Sequence, residues 1–235
     1  MNGLLFEMRR SLIELDLGLK GDLSISEPME ALMNSLYDDK VPGGWNKRAY
    51  PTMRPLAAWL SDVLARQRQL EAWTADLATP KVTWLPGMFN PQAFLTAVMQ
   101  VTARKNELPL DKLATVVDVT KKMSADEIEA ASRDGAYIVG LSIEGARWDT
   151  NSGQIDDAIL KQLYAPMPVT LVKAAPQEKA EGRDSYACPV YKTLTRGPVD
   201  GKPSGGLVFV AYLRTKQSPN KWIMAGVAAF LDVES

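Results

Sequence analysis

The chain has 235 residues, 27 basic and 28 acidic, with a formal net charge of -1; 46% of its residues are hydrophobic and 23% charged. That balance fits a folded globular protein and gives no basic footprint for nucleic acid or an anionic membrane surface. One cysteine and no histidine exclude internal disulfides, Ser-His-Asp and Cys-His nucleophilic chemistry, His-ligated zinc and thiolate clusters.

Residues 4–20 predict an amphipathic helix, with Leu5, Met8, Leu12, Leu15 and Leu19 recurring every third or fourth position. Glu7, Arg9, Arg10, Glu14 and Asp16 occupy the rest of the wheel, and Gly21 stands where a left-handed glycine ends a helix. The helix starts almost at the first residue without a cap. A piece of a longer protein, with its apolar stripe turned toward something outside, is therefore expected. Packing of that stripe on the next helix satisfies the spacing equally well. No apolar run reaches membrane-spanning length, and the acids and arginines of the first residues do not suit a signal peptide.

Ser26-Glu27-Pro28 opens a second helix with Met29, Leu32, Met33 and Leu36 on its stripe, broken at Val41-Pro42-Gly43-Gly44. Pro51 to Pro55 launches a longer one. Its inner face is read as Leu56, Trp59, Leu60, Val63, Leu64 and Leu70, and its outer face as Asp62, Arg66, Arg68 and Glu71. Trp84–Phe89 is an apolar loop, and Asn90-Pro91 caps a fourth helix carrying Phe94, Leu95, Val98 and Thr102.

Beyond about residue 112 the period changes to two. Strands are expected at Leu113–Val119, Pro168–Ala174, Tyr186–Thr195, Gly206–Thr215 and Trp222–Val233, with Gln217–Asn220 as a turn. Gly135–Ala158 reads as a hairpin. Tyr137, Val139, Leu141 and Ile143 alternate along one strand, Gly140 and Gly145 interrupt it, Thr150-Asn151-Ser152-Gly153 turns, and Gln154-Ile155-Asp156 returns. The fold class is α+β: a helical subdomain at 1–110 and a C-terminal antiparallel β-barrel or sheet at 111–235.

No motif marks a catalytic, cofactor or metal site. Gly197–Ser204 imitates a phosphate-binding loop, but three residues separate its glycines and proline follows Lys202. Asp38-Asp39 and Asp156-Asp157 lack the spacing of a calcium loop and read as turn ends. Cys188, before Pro189 in a strand-like run, reads as buried. A two-carboxylate hydrolase needs no histidine, yet no spacing of acids here marks one.

The segments RRSLIELDLGLKGDLSIS, MEALMNSLYDDKVPGGW, WLPGMFNPQAFLTAVMQVTARKNELPLDKL, GAYIVGLSIEGARWDTNSGQIDDA and YACPVYKT, with the closing WIMAGVAAFLDV, resemble the C-terminal domain of dynein heavy chains. GLSIEGARWDTNSG and CPVYKT are similar to its axonemal, ciliary and flagellar branch. The resemblance runs nearly end to end. It implies helices followed by a small β-barrel, lying across one face of the AAA+ ring of the same heavy chain. It implies no ATPase site and no cofactor, since nucleotide sites and the microtubule-binding stalk lie elsewhere in such a motor. The implied role is a regulatory brace in the cytoskeleton of the axoneme, with AAA+ modules as partners and microtubules reached only through the motor. Leu5, Met8, Leu12, Leu15 and Leu19 would form its ring interface. Two further expectations are a docking module for tubulin, a light chain or a neighbouring axonemal component, and self-association of the isolated piece.

Overall fold

The structure is a computed structural model that describes residues 1–176, 184–194, 196 and 206–231. Its contacts divide the protein into two units, one of Met1–Ala72 and one beginning at Trp73. The division falls inside a helix, ahead of the change of sequence period, because the next helix packs on the sheets.

In the first unit, α1 (Asn2–Lys20) ends at Gly21 with φ 83°, a left-handed conformation that glycine adopts without steric cost. It packs on α2 (Glu27–Tyr37) and on the single turn α3 (Gly43–Asn46). Helix α4 (Leu56–Asp76) is started by Asp39, whose backbone oxygen accepts from Leu56 N and whose carboxylate accepts from Ala57 N, each at 3.0 Å. Trp59 is fully buried, stacked between Trp45 (centroids 6.0 Å apart) and Tyr50 (6.4 Å).

The expected faces of α4 are corrected on both sides. Asp62 and Arg66 are buried, joined at 2.7 Å, while Leu60 and Leu64 are exposed. Positions 59, 62, 63 and 66 share one helical face, so the ion pair goes inside with Trp59 and Val63. The Arg66 guanidinium lies 3.3 Å from the centre of the Tyr50 ring, which gives the buried cation a π-face as well as a carboxylate. Burial, with Asp62 alongside, pushes the Tyr50 hydroxyl well above the usual tyrosine range.

In the second unit, Asn90 Oδ1 accepts from Ala93 N at 3.1 Å and caps α5 (Pro91–Lys105). The strands are β1 (Thr83–Trp84), β2 (Leu113–Val119), β3 (Ala136–Val139), β4 (Ser142–Glu144), β5 (Ala146–Asp149) and β6 (Gln154–Asp157), then β7 (Tyr164–Pro166), β8 (Thr170–Pro176), β9 (Ser185–Tyr191), β10 (Leu207–Arg214) and β11 (Ala228–Phe230). A short helix, α6 (Pro219–Met224), lies between the last two.

These strands form a four-stranded sheet in the order β1-β3-β8-β2, a five-stranded sheet in the order β10-β9-β11-β4-β7, and the hairpin β5-β6. The expected antiparallel barrel is corrected accordingly. Among the described residues the sheets are open, and two pairings, β1 with β3 and β9 with β11, are parallel. The reason is the connections. Helix α5 and β2 intervene between β1 and β3, and β10 and α6 intervene between β9 and β11, so the backbone returns in its original direction.

Gly135–Ala158 is likewise not one hairpin. Gly140 (φ 92°) and Gly145 (φ 74°) cut it into β3, β4 and β5, and each piece joins a different sheet. A Cβ on Gly140 would lie 2.6 Å from Pro86 Cγ and 2.8 Å from Trp84 Cδ1, so no larger residue fits that corner. Only β5 and β6 pair, with Trp148 opposite Ile155.

Trp222 also departs from its strand reading. It sits fully buried on α6, because Ser218-Pro219 starts a helix where a turn is expected. Its indole Nε1 donates to Thr215 Oγ1 at 2.8 Å. The core beneath the sheets gathers Leu85, Leu95, Ile138, Ile143, Val190 and Trp222.

Gly135 supplies a direct test. Its φ is 97°, and an added Cβ would stand 2.2 Å from the Val172 carbonyl oxygen. Gly135→Ala should destabilise by about 3 kcal/mol or more in urea unfolding, combining backbone strain with overpacking. Gly153→Ala, with φ 66° in open space, should lose only about 1 kcal/mol.

Candidate functional site

Helix α1 carries the residues expected to meet a partner, and the structure separates them. Leu15 is buried inside the first unit, Leu5 and Met8 are half-buried, and Leu12 (41%) and Leu19 (62%) are exposed. The inward stripe runs instead through Leu4, Glu7, Leu15 and Gly18, at spacings of three, eight and three. Gly18 faces α2, where an added Cβ would meet Met29 Sδ at 3.4 Å, the edge of ordinary van der Waals contact. Phe6 (68%), Ile13 (50%) and Leu17 (38%) form a further exposed apolar line. Periodicity misses these three because a helical wheel with several apolar lines does not say which of them turns inward.

Glu7 is the polar member of the buried stripe. Its carboxylate receives Arg10 Nη2 at 2.7 Å and lies 3.5 Å from Arg48 Nη1. The Arg10 hydrogen bond, aided by the charges of Arg10 and Arg48, holds the carboxyl below its ordinary 4.5 against the opposing effect of burial. Beside it, Trp45 Nε1 donates to Ser11 Oγ at 2.9 Å, which fixes α3 against α1. Glu7, Glu14, Met29, Leu32 and Trp45 line a groove of about 300 Å³ between α1, α2 and α3. It combines apolar side chains with the paired charges of Glu7, Arg10 and Glu14.

In the second unit, Asp156 and Asp157 diverge as adjacent strand residues must. Asp156 pairs with Arg147 at 2.6 Å and Asp157 with Lys221. Among the described residues no three His, Cys, Asp or Glu side chains gather as a metal site. The phosphate-loop imitation at 197–204 lies outside the described residues. Cys188 is fully buried, and burial pushes its thiol up to about 12. Arg196 ties β4 to the turn before β11: its guanidinium donates to the Gly226 carbonyl at 3.0 Å, pairs with Glu144 and lies 5.2 Å from the Phe230 ring centre. No helix among the described residues is long and apolar enough to cross a membrane.

Glu7 has a lowered pKa in the fold, so the stability it contributes is complete above the ordinary glutamate range and lost as pH falls through its folded value. Glu7→Gln should therefore flatten the loss of urea stability measured between about pH 5 and pH 3. Cys188 should resist alkylation by iodoacetamide at about pH 8 in the folded protein and react fully in denaturant, because only the thiolate is nucleophilic.

Comparison with known proteins supplies the context for this arrangement. The family model for the C-terminal domain of the dynein heavy chain matches residues 1–231. The sequence is 57% identical over 233 residues to the dynein beta chain of the flagellar outer arm of Chlamydomonas reinhardtii. It is 52% identical over 233 residues to human dynein axonemal heavy chain 9, and 42% identical over 235 residues to the Chlamydomonas reinhardtii flagellar outer-arm alpha chain. These matches span 98–99% of the present sequence but only 5% of each relative's length. The chain belongs to the family of C-terminal domains of dynein heavy chains.

Proposed function

We propose that this chain acts as a non-catalytic cap on the AAA+ ring of an axonemal dynein heavy chain, in the cytoskeleton of a cilium or flagellum. The observation that carries the reading is the outward side of α1, where Phe6, Leu12, Ile13, Leu17 and Leu19 are exposed together on one helix. Phe6, Ile13 and Leu17 make one exposed apolar line and Leu12 and Leu19 a second on the same helix, more large apolar side chain than a solvated helix needs. Apolar faces of this kind are suited to cover by a partner, and membership of the dynein C-terminal family supports AAA+ modules of the same heavy chain as that partner. Leu5 and Met8 would border that contact, while Leu15 supports it from inside. Nucleotide hydrolysis and microtubule binding would belong to other parts of the motor. The cap would act on them by resisting or coordinating movement of the ring.

A second reading, docking of an extra-ring component such as tubulin, a light chain or a neighbouring axonemal part, is favoured by a different observation. Leu160 (93%), Leu163 (75%) and Met224 (87%) of the second unit are almost wholly exposed.

The test is binding of this chain to a dynein motor head truncated just before the domain, with microtubule gliding and ATPase followed on addition. The domain should bind, and gliding should change while hydrolysis persists. Phe6→Ser, Ile13→Ser and Leu17→Ser together should weaken binding by more than about tenfold without altering the urea midpoint, since burying one such side chain is worth about 1.5–3 kcal/mol. Full affinity in the triple variant, with loss instead in Leu160→Ser/Met224→Ser, would replace the α1 contact with the second surface.

A further inference from the structure

A cleft of about 340 Å³ opens in the second unit where the terminal strands of two sheets meet. Strand β2 ends the four-stranded sheet, β10 ends the five-stranded sheet, and the β5-β6 hairpin closes the cleft with its tip at Thr150–Gly153. Trp148 and Tyr212 line it from β5 and β10, and Trp148 is partly buried against the core beside Val119. A ring anchored in that way makes a fixed platform at little cost in side-chain entropy.

The charges around the cleft are unequal. Asp118 is the acidic residue lining it, and Lys173 pairs with it from β8. Lys121 and Arg214 also line the cleft, are exposed, and have no ion pair among the described residues. Arg214 shares its face of β10 with Tyr212, two positions away, so cation and ring project to the same side. The cleft therefore presents two uncompensated cations beside two aromatic surfaces.

We propose that this cleft binds an extended acidic peptide segment, whose carboxylates meet Lys121 and Arg214 and whose apolar groups lie on Trp148 and Tyr212. Charge complementarity selects the sign of the partner. The hairpin argues for carboxylates over phosphate. A phosphate site draws on free backbone N–H groups, but the amides of Asn151 and Ser152 already donate to Asp149, at 3.2 and 3.1 Å. What remains is side-chain cations and hydroxyls, which suit dispersed carboxylates along a peptide. The site uses residues of the second unit alone and none of α1, so it stands or falls independently of the ring-facing role.

The experiment is a titration of the protein with a fluorescein-labelled peptide of alternating Glu and Gly with a central Phe, against the same peptide carrying Gln in place of Glu. The Glu peptide should bind saturably, alter tryptophan emission in the wild type but not in Trp148→Phe, and weaken as salt rises. Lys121→Gln and Arg214→Gln should each weaken it about two- to fivefold, and together by the product. Arg9→Gln, an exposed cation on α1, should leave it unchanged. Equal binding of the Gln peptide, or Glu-peptide affinity indifferent to both cleft substitutions, would overturn the proposal. Displacement by inorganic phosphate at equal carboxylate and phosphate concentration would also overturn it, by making the cleft a small-anion site.

Discussion

The second unit depends on two backbone corners. Gly140 and Gly145 take up left-handed conformations within six residues, and at each the backbone leaves one sheet for another. An L side chain at φ near +90° is strained anywhere, and at Gly140 it would also collide with Pro86 and Trp84. With those corners set, β3 lies on β8, β4 lies between β11 and β7, and β5 turns out to form the hairpin. One short segment thereby ties all three sheets to a common core, where Ile138, Ile143, Ala146 and Ile155 meet. The cation–aromatic cleft is a product of the same routing, since the third piece carries Trp148 to the terminal strands of the other two sheets.

The first unit is organised by a different constraint, the burial of charge. Asp62 and Arg66 form an ion pair on the inward face of α4, with the guanidinium over Tyr50, and Glu7 sits inward on α1 under Arg10 and Arg48. Paired groups of this kind hold a specific arrangement rather than adding much net stability. They also free large apolar residues for the outside. Leu60 and Leu64 on α4, like Phe6 and Ile13 on α1, are exposed although a periodic reading assigns such residues to a core. The unit thus buries three charged residues within an otherwise apolar interior and leaves several large apolar residues exposed, which is the physical basis of the proposed role.

Much of the local structure is legible in the residues. Gly21 and Asn90-Pro91 mark real helix ends, Leu113–Val119 is β2 residue for residue, and Thr150–Gly153 is the turn between β5 and β6. The family is legible too, because long segments in a fixed order identify a fold more surely than periodicity does. Trp222 is not, since an apolar run beside a Ser-Pro helix start is compatible with either period. The candidate interface is legible as a helix but not as a face.

Residue order alone therefore settles several local features, the helix ends at Gly21 and Asn90-Pro91, the Thr150–Gly153 turn and the Leu113–Val119 strand, together with the exclusion of histidine- and thiolate-based chemistry. These follow from φ preferences, capping groups and side-chain inventory, whereas family membership is read from long segments in a fixed order. Packing had to settle which of α1's apolar lines turns inward, that Asp62 and Arg66 pair inside, that β9 and β11 run parallel, and that Lys121 and Arg214 share a cleft. Most of those outcomes depend on contacts between residues far apart in the sequence, and even the Asp62–Arg66 pair, close in sequence, sits against Tyr50 on the face that carries Trp59. Period and composition carry no record of such partners.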